Sequence, residues 1–244
     1  MTKDWKERTE LLITQDGSSK LKNANVLVVG LGGVGSFAAE FLARAGVGNL
    51  TIVDGDTVDI TNINRQLPAL LSTVGKAKAA LVSERLRDIN PEIQLKVIQE
   101  FLQPESMAKI LMDGKYDYVM DCIDSVTPKI TLIKEARRRK IKIISAMGAG
   151  GKIDASKVHV RDIGKTYNCY LAKQVRKRLK KEANITKGVK CVFSSELQKE
   201  ESLSLTDGSN FKRSYYGTIS YIPAAFGLHA ASEVINYLLK REPK

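Results

Sequence analysis

Residues 25–54 impose one order of elements on this chain: an apolar strand, a glycine-rich turn, a helix, and a second strand that ends on an acid. Asn25-Val26-Leu27-Val28-Val29 is too apolar and β-branched for a surface strand, and predicts one buried in a parallel sheet. It stops at Gly30-Leu31-Gly32-Gly33-Val34-Gly35. Missing side chains there let the backbone turn tightly and approach a phosphate, and the N–H groups that open the next helix, over 36–44, can hold an anion. Asn49-Leu50-Thr51-Ile52-Val53-Asp54 returns as the second strand, and its carboxylate follows Gly30 by 24 residues, close to the ribose-binding spacing of about 20. A glycine pattern alone is weak, since such a turn can simply pack helix on sheet. With both strands, the helix and the acid in order, it predicts a nucleotide site.

Further helices are expected over 73–90 and 128–140, and strands over 95–98, 116–120 and 142–146. Strand and helix alternate, so the predicted class is α/β, a doubly wound, mostly parallel Rossmann-like sheet with its ligand at the carboxyl ends of the strands. Upstream, 9–13 reads as the close of a short helix and Asp16-Gly17-Ser18-Ser19 as a turn. Past Gly148-Ala149-Gly150-Gly151 the pattern changes: 157–163 alternates as an exposed strand would, 170–182 is a basic helix, and 199–212, with Asp207-Gly208-Ser209-Asn210, reads as a mobile loop. Pro223 is expected to start a last helix whose Leu228, Ala231, Ile235 and Leu238 form an apolar stripe to dock or dimerise. The expected organisation is one domain over 1–244, with a nucleotide-binding core at 1–150 and an extension at 151–244 for substrate binding and dimerisation.

The 244 residues suffice for one such domain. No run of apolar residues is long enough for a membrane span, and Met1-Thr2-Lys3-Asp4-Trp5-Lys6 has no apolar signal region, so the expectation is a cytoplasmic protein without a membrane partner. Cys122, Cys169 and Cys191 are far apart and form no Cys-x-x-Cys pair, which argues against disulfides and against structural zinc. His159 and His229 stand alone and suggest no metal or base role. Lys and Arg number 39 against 27 Asp and Glu, which points to an acidic partner, RNA first. Lys173, Arg176, Lys177 and Lys180 recur at the spacing of one helical face, with Lys181 beside them and Glu182 the only acid in the run. A solvated helix usually mixes signs, so this one is the expected RNA surface, with Arg137, Arg138, Arg139 and Lys140 as the next.

Glycines do not separate a dinucleotide from ATP, but the segments that follow do. Asn62-Ile63-Asn64-Arg65-Gln66 puts a cation and amides just past the second strand, Lys78 stands early on the next helix, and Asp121 and Asp124 end the fourth strand. Hydride transfer needs no such set. Nucleotidyl transfer needs charge neutralised along a triphosphate and a metal ion held by an acid. The plainer readings are surface charges for Arg65 and Lys78, an ion pair for Asp56, and a buried core thiol for Cys191.

These motifs carry a resemblance. Residues 30–35, Asp54-Gly55-Asp56, 62–66, Gly75-Lys76-Ala77-Lys78 and Asp121-Cys122-Ile123-Asp124 resemble, in order, those of the ubiquitin-activating-type adenylating enzymes, the group of the ThiF, MoeB and HesA proteins. Within that family, Asp124-Ser125-Val126-Thr127-Pro128-Lys129, residues 148–154, the helix at 171–179 and Cys191-Val192-Phe193-Ser194-Ser195-Glu196 are similar to the branch that acts on threonylcarbamoyladenosine in tRNA. The likeness then spans nearly the whole chain.

The resemblance implies ATP and magnesium as cofactors, and as partners a tRNA carrying threonylcarbamoyladenosine and a second copy in a homodimer. Carried over by position, it puts Gly30, Gly32, Gly33, Gly35, Asp54, Asp56 and Gln66 around the nucleotide, with Asp54 on the ribose. Asn62 and Arg65 match phosphate contacts, Lys78 the triphosphate lysine and Asp124 the magnesium-associated acid. Arg8 matches an arginine supplied by the partner subunit, which completes a catalytic set of Arg65, Lys78, Asp124 and Arg8. The implied reaction adenylates the threonine carboxylate and closes a ring through the carbamoyl group of the same molecule, so positioning replaces a protein nucleophile. Two departures stand out: Cys169-Tyr170-Leu171-Ala172 where relatives read Asp-Pro-Leu-Ala, and no cysteine in 212–216, which leaves a sulfur-handling partner open. The competing readings are an adenylator of a ubiquitin-like carrier's C-terminus, a nicotinamide dehydrogenase and a noncatalytic nucleotide-dependent RNA binder.

Overall fold

The computed structural model of the protein describes residues 4–205 and 214–242. Seven strands form one sheet in the order β3-β2-β1-β4-β5-β7-β6. They are β1 Asn25–Val29, β2 Asn49–Val53, β3 Gln94–Ile98, β4 Tyr118–Asp121, β5 Lys142–Ala146, β6 Val158–Asp162 and β7 Lys190–Ser194. All pairings are parallel except that of the edge strand β6 with β7. The doubly wound α/β expectation therefore holds, and the strand order turns at β1 and β4, where a crevice opens at the carboxyl ends.

Alternation within each strand feeds two cores. Val26, Val28, Leu50, Ile52, Tyr118, Met120, Ile144 and Val192 face one side, against α1 (Glu7–Asn23), α2 (Gly35–Arg44), α3 (Lys78–Ile89) and α7 (Tyr221–Leu239). Leu27, Val29, Val53, Val119, Ile143, Cys191 and Phe193 face the other, under α4 (Pro104–Asp113), α5 (Val126–Arg138) and α6 (Tyr170–Ala183). Burial on both faces is what makes β1 read as an unbroken apolar run.

Several boundaries differ from the expectation. The helix expected to close near residue 13 kinks at Thr14 (φ 64°) and then continues to Asn23 through the supposed turn. Packing overrides propensity there, because Gly17 lies against the end of α7, where a Cβ would come within 3.1 Å of Leu239. α3 starts at Lys78 instead of residue 73: Gly75 has φ +84° and Ala77 bridges back to Thr57, so neither is helical. α4 adds a helix between β3 and β4 where none is expected from the sequence, with Pro104 at its first turn and Met107 and Leu111 buried. Within the expected loop 199–212, Leu203–Leu205 (β8) pairs antiparallel with Ser214–Tyr216 (β9), while Asp207-Gly208-Ser209-Asn210, Lys212 and Arg213 lie outside the described residues. α7 begins two residues before Pro223. Its Ala231 and Leu238 are buried within the chain, whereas Leu228 is half exposed, so most of the stripe docks on α2, α1 and the sheet.

At the carboxyl ends of β4 and β5 two opposite charges are wholly buried. Lys129 of α5 and Asp121 are each 0% exposed, with Nζ to Oδ2 at 2.7 Å. The ammonium also donates to Ala146 O at 2.9 Å and Ser145 Oγ at 3.2 Å, and Asp121 accepts from Ser145 Oγ and from Ile123 N–H. Burial pushes the Asp121 carboxyl up, and the Lys129 charge and hydrogen bonds oppose it. Removing one partner strands the other in the interior. Lys129→Met is expected to cost about 3–5 kcal/mol in urea unfolding, and the Asp121→Asn, Lys129→Met double variant distinctly less; equal losses in both would show that the charge pair is not what the site needs.

Candidate functional site

The crevice at the ends of β1, β2 and β4 collects most of the predicted residues. The turn after β1 is held by backbone approach. Gly30 has φ +91°, and a Cβ there would lie 2.9 Å from Cys122 O, while one on Gly35 would lie 1.7 Å from Gly30 O. Gly33 packs against Pro223 and the Arg65 carbonyl. Gly32 is different: the nearest atom to its Cβ position is the Gln66 amide at 3.6 Å, so this stretch of backbone faces open room.

Asp54 closes the other side. Its Oδ2 accepts from Leu31 N–H at 2.6 Å and its Oδ1 from Asp56 N–H at 2.8 Å, so it anchors the glycine turn as well as lining the crevice. Burial raises its pKa, against those bonds and the nearby Lys78. Lys78, 5% exposed at the first turn of α3, pairs with Asp56 at 3.0 Å, so the plainer reading of Asp56 is realised in this structure. Asn62 is buried and caps the turn at 59–62, its Oδ1 accepting from Asp59 N–H and its carbonyl from Arg65 and Gln66 N–H. Arg65 is half-buried and donates from Nη1 to Thr61 O and to Asn64 Oδ1. Gln66 Oε1 is buried with no hydrogen-bond partner among the described residues, next to the open Gly32 backbone. An acceptor so placed is open to a donor from water or from a ligand.

Asp124 is exposed just past β4 and accepts from Ser125 Oγ at 3.4 Å. Arg8 is not brought to this site. Two residues before it, Lys6 packs near Gly46 and pairs with Glu92, both at the opposite, amino-terminal edge of the sheet. On α6, Lys173, Lys177 and Lys180 are exposed, but Arg176 turns inward onto the Thr166 carbonyl and hydroxyl. Glu182 is held by Arg178 and Lys134. The helix begins beside the site, with Leu171 3.6 Å from the Gly148 Cβ position. Burial pushes the Cys122 thiol up to about 12 and the Cys191 thiol upward too, which makes both poor nucleophiles.

Sequence reasoning missed what lies beside this crevice. A cavity of ≈ 520 Å³ opens between Asn64, the 151–153 loop, Lys199, Ser202 and residues 217–220. Beneath it, Lys152 is 1% exposed, and its ammonium is taken by the carbonyls of Asn168, Ser194 and Glu196, while the Glu196 carboxylate accepts from Ile153 and Asp154 N–H. Desolvation lowers the Lys152 pKa, with Cys169 and Glu196 opposing. The sequence signals for this floor were the motifs at 148–154 and 191–196, to which no role in a cavity was attached.

Comparison with known proteins places these features in a family. The sequence model of the ThiF family matches residues 7–244. The tRNA threonylcarbamoyladenosine dehydratase of Bacillus subtilis is 43% identical, over 96% of this chain and 94% of that protein. The protein of the same name from Haemophilus influenzae is 40% identical, over 95% and 92%. The crystal structure of Escherichia coli tRNA N6-threonylcarbamoyladenosine dehydratase, TcdA, in complex with ATP superposes with a TM-score of 0.87 at 39% identity, covering 98% of this chain and 97% of that one.

The glycines make separable demands. Gly35→Ala must force the turn open and is expected to cost on the order of 4 kcal/mol in thermal unfolding, whereas Gly32→Ala should stay within about 1 kcal/mol of the parent. Equal stability of the two variants would contradict the steric reading of the turn.

Proposed function

The chain belongs to the ThiF family, and on that premise we propose that it catalyses the ATP-dependent dehydration of threonylcarbamoyladenosine in tRNA to its cyclic form. The observation that carries this is the likeness to dehydratases of that name along nearly the whole chain, beyond the nucleotide half that adenylating relatives share. Neither a carrier-protein adenylator nor a noncatalytic RNA binder accounts for the match over 151–244.

The residues present fit ATP. The open Gly32 backbone and the Arg65 and Lys78 cations form a cradle for an anion, and Gln66 Oε1, without a partner among the described residues, can accept from a donor on the ligand's edge. When bound, ATP converts the carboxylate's poor oxide leaving group into AMP. The carboxylate oxygen attacks the α-phosphorus and pyrophosphate leaves; the carbamoyl group then attacks the acyl carbon, AMP leaves, and one proton is lost. Arg65 and Asn62 orient the phosphates, Lys78 offsets their charge, and Asp54 positions the ribose while holding the glycine turn. Magnesium fits Asp124 as a single carboxylate: no group of three or more His, Cys, Asp or Glu suited to a metal occurs among the described residues, and magnesium takes its other ligands from phosphates and water. Thiols with raised pKa suit a ring closure that needs no protein nucleophile.

Three features support a homodimer with shared sites: Arg8 lies away from its own chain's crevice, Leu11 and Leu12 of α1 are 81% and 83% exposed, and Leu70 and Leu71 stand exposed just past Arg65. The tRNA would lie along α6, whose exposed lysines begin beside the site. No helix among the described residues is long and apolar enough to cross a membrane, and a tRNA substrate suits the cytoplasm.

Arg65→Ala should fold normally and lose about three orders of magnitude in turnover, and Arg8→Ala should likewise be inactive. Mixed after subunit exchange, the two should regain on the order of a quarter of parental activity, since each heterodimer rebuilds one intact site. No recovery in a demonstrated heterodimer would place Arg8 elsewhere. For the RNA surface, glutamine at Lys173, Lys177 and Lys180 together should weaken tRNA binding and reduce the log-log salt slope by about two to three with nucleotide affinity unchanged. An unaltered slope would move the RNA surface off α6.

A further inference from the structure

Resting on the reading above, we infer that the cavity beside the phosphate loop is the receptor for the modified nucleoside itself, extruded from its RNA, so that this pocket and not the basic helix distinguishes modified from unmodified tRNA.

Position argues first. Asn64 joins the two sites: its Oδ1 accepts from Arg65 Nη1 at 2.8 Å, and its Nδ2 donates to Thr218 O in the cavity wall, also at 2.8 Å. A ligand in the cavity therefore presents one end to the phosphate-binding arginine, where a carboxylate must meet the α-phosphate. The ≈ 520 Å³ lies within the range of about 300–1,000 Å³ typical of small-molecule sites.

The frame is built from fixed backbone. Gly151, at φ +73°, donates its N–H to Gly217 O at 2.8 Å, and its carbonyl accepts from Lys199 N–H at 2.9 Å. A Cβ on Gly150 would stand 2.9 Å from Tyr216 Cβ, so the hairpin rests directly on the glycine floor. Tyr221 Oη ties the start of α7 to the Ile153 carbonyl at 2.8 Å. This explains Gly148-Ala149-Gly150-Gly151-Lys152, which the adenylation chemistry alone does not use.

The lining chemistry selects the occupant. Ile153 and Ile219 offer apolar surface for a planar base, Ser202, Thr218 and Ser220 offer hydroxyls for its edges, and no acid is among the lining residues, whose one charge not held by carbonyls beneath is that of Lys199. An uncharged base carrying an anionic arm fits such a lining, whereas a cationic peptide does not. Extruding the nucleoside costs base stacking, least in a loop whose bases are already unpaired. Affinity and specificity are thereby divided: the α6 lysines grip phosphates of any tRNA, and the cavity reads the modification.

The test fills the cavity from two independent positions, Ser202→Phe and Ile219→Trp, and compares binding of one tRNA with and without its threonylcarbamoyl group. In the parent, modified tRNA should bind more tightly. In each folded, filled variant that preference should fall by about tenfold or more, the affinity for unmodified tRNA holding steady as the sign of an intact fold. Full preference retained in either folded variant would overturn the cavity's role and leave the dehydratase reading standing. A parent that shows no preference and no turnover of modified tRNA would overturn that reading and the occupant with it.

Discussion

One buried ammonium organises the end of the sheet where everything else happens. Lys129 reaches from α5 to the tips of two adjacent parallel strands and spends its three protons on Asp121, Ser145 and Ala146. Asp121 in turn takes the Ile123 N–H, which shapes the 121–124 turn and delivers Asp124 to the crevice. The Ala146 contact fixes where the chain leaves β5 for the glycine floor. A charge taken out of water is costly unless every proton finds a partner, and the satisfied set allows little freedom in how these strand ends lie.

Lys152 repeats the device a few residues later. It is nearly as buried, and it draws together the carbonyl of 168, one strand further along the chain, with those of 194 and 196, which the chain reaches only after a helix and another strand. Two lysines thus act as struts, one under the nucleotide side and one under the cavity, while the lysines of α6 stay in water. The same residue type supplies rigidity where its protons are all taken and electrostatic reach where they are not.

That division also sets how much was legible in the sequence. The segment 25–54 declared itself because the strand, turn and acid signals are local and agree. The parallel, doubly wound class followed from the alternation of strand and helix, while strand order and register became visible only in the structure. Lys129 and Lys152 did not declare themselves, since a lysine in a sequence reads as surface until the acceptors that satisfy it are seen, and those lie up to 44 residues away. Arg176 fitted the helical stripe by spacing, yet spacing cannot say that Thr166 captures its guanidinium. The β8–β9 pairing hid in a polar stretch too short for alternation to register, and the cavity it walls hid with it. The Asp16-Gly17-Ser18-Ser19 segment shows the converse, a strong turn composition bent into helix by contact with a distant terminus.

That distant terminus has a consequence for how the molecule is made. α7 lies so close on α2 that a Cβ on Gly227 would come within 2.6 Å of Val34 O, and Pro223 abuts Gly33. Phe226, Ala230 and Val234 share a core with Val26, Val28 and Ala38. β1 therefore waits for α7 before this face, already flanked by α1, α2 and α3, is fully covered. Until α7 emerges, the nascent chain leaves the part of that face between α1 and α2 uncovered, so the period of synthesis is when this protein depends most on being shielded by others.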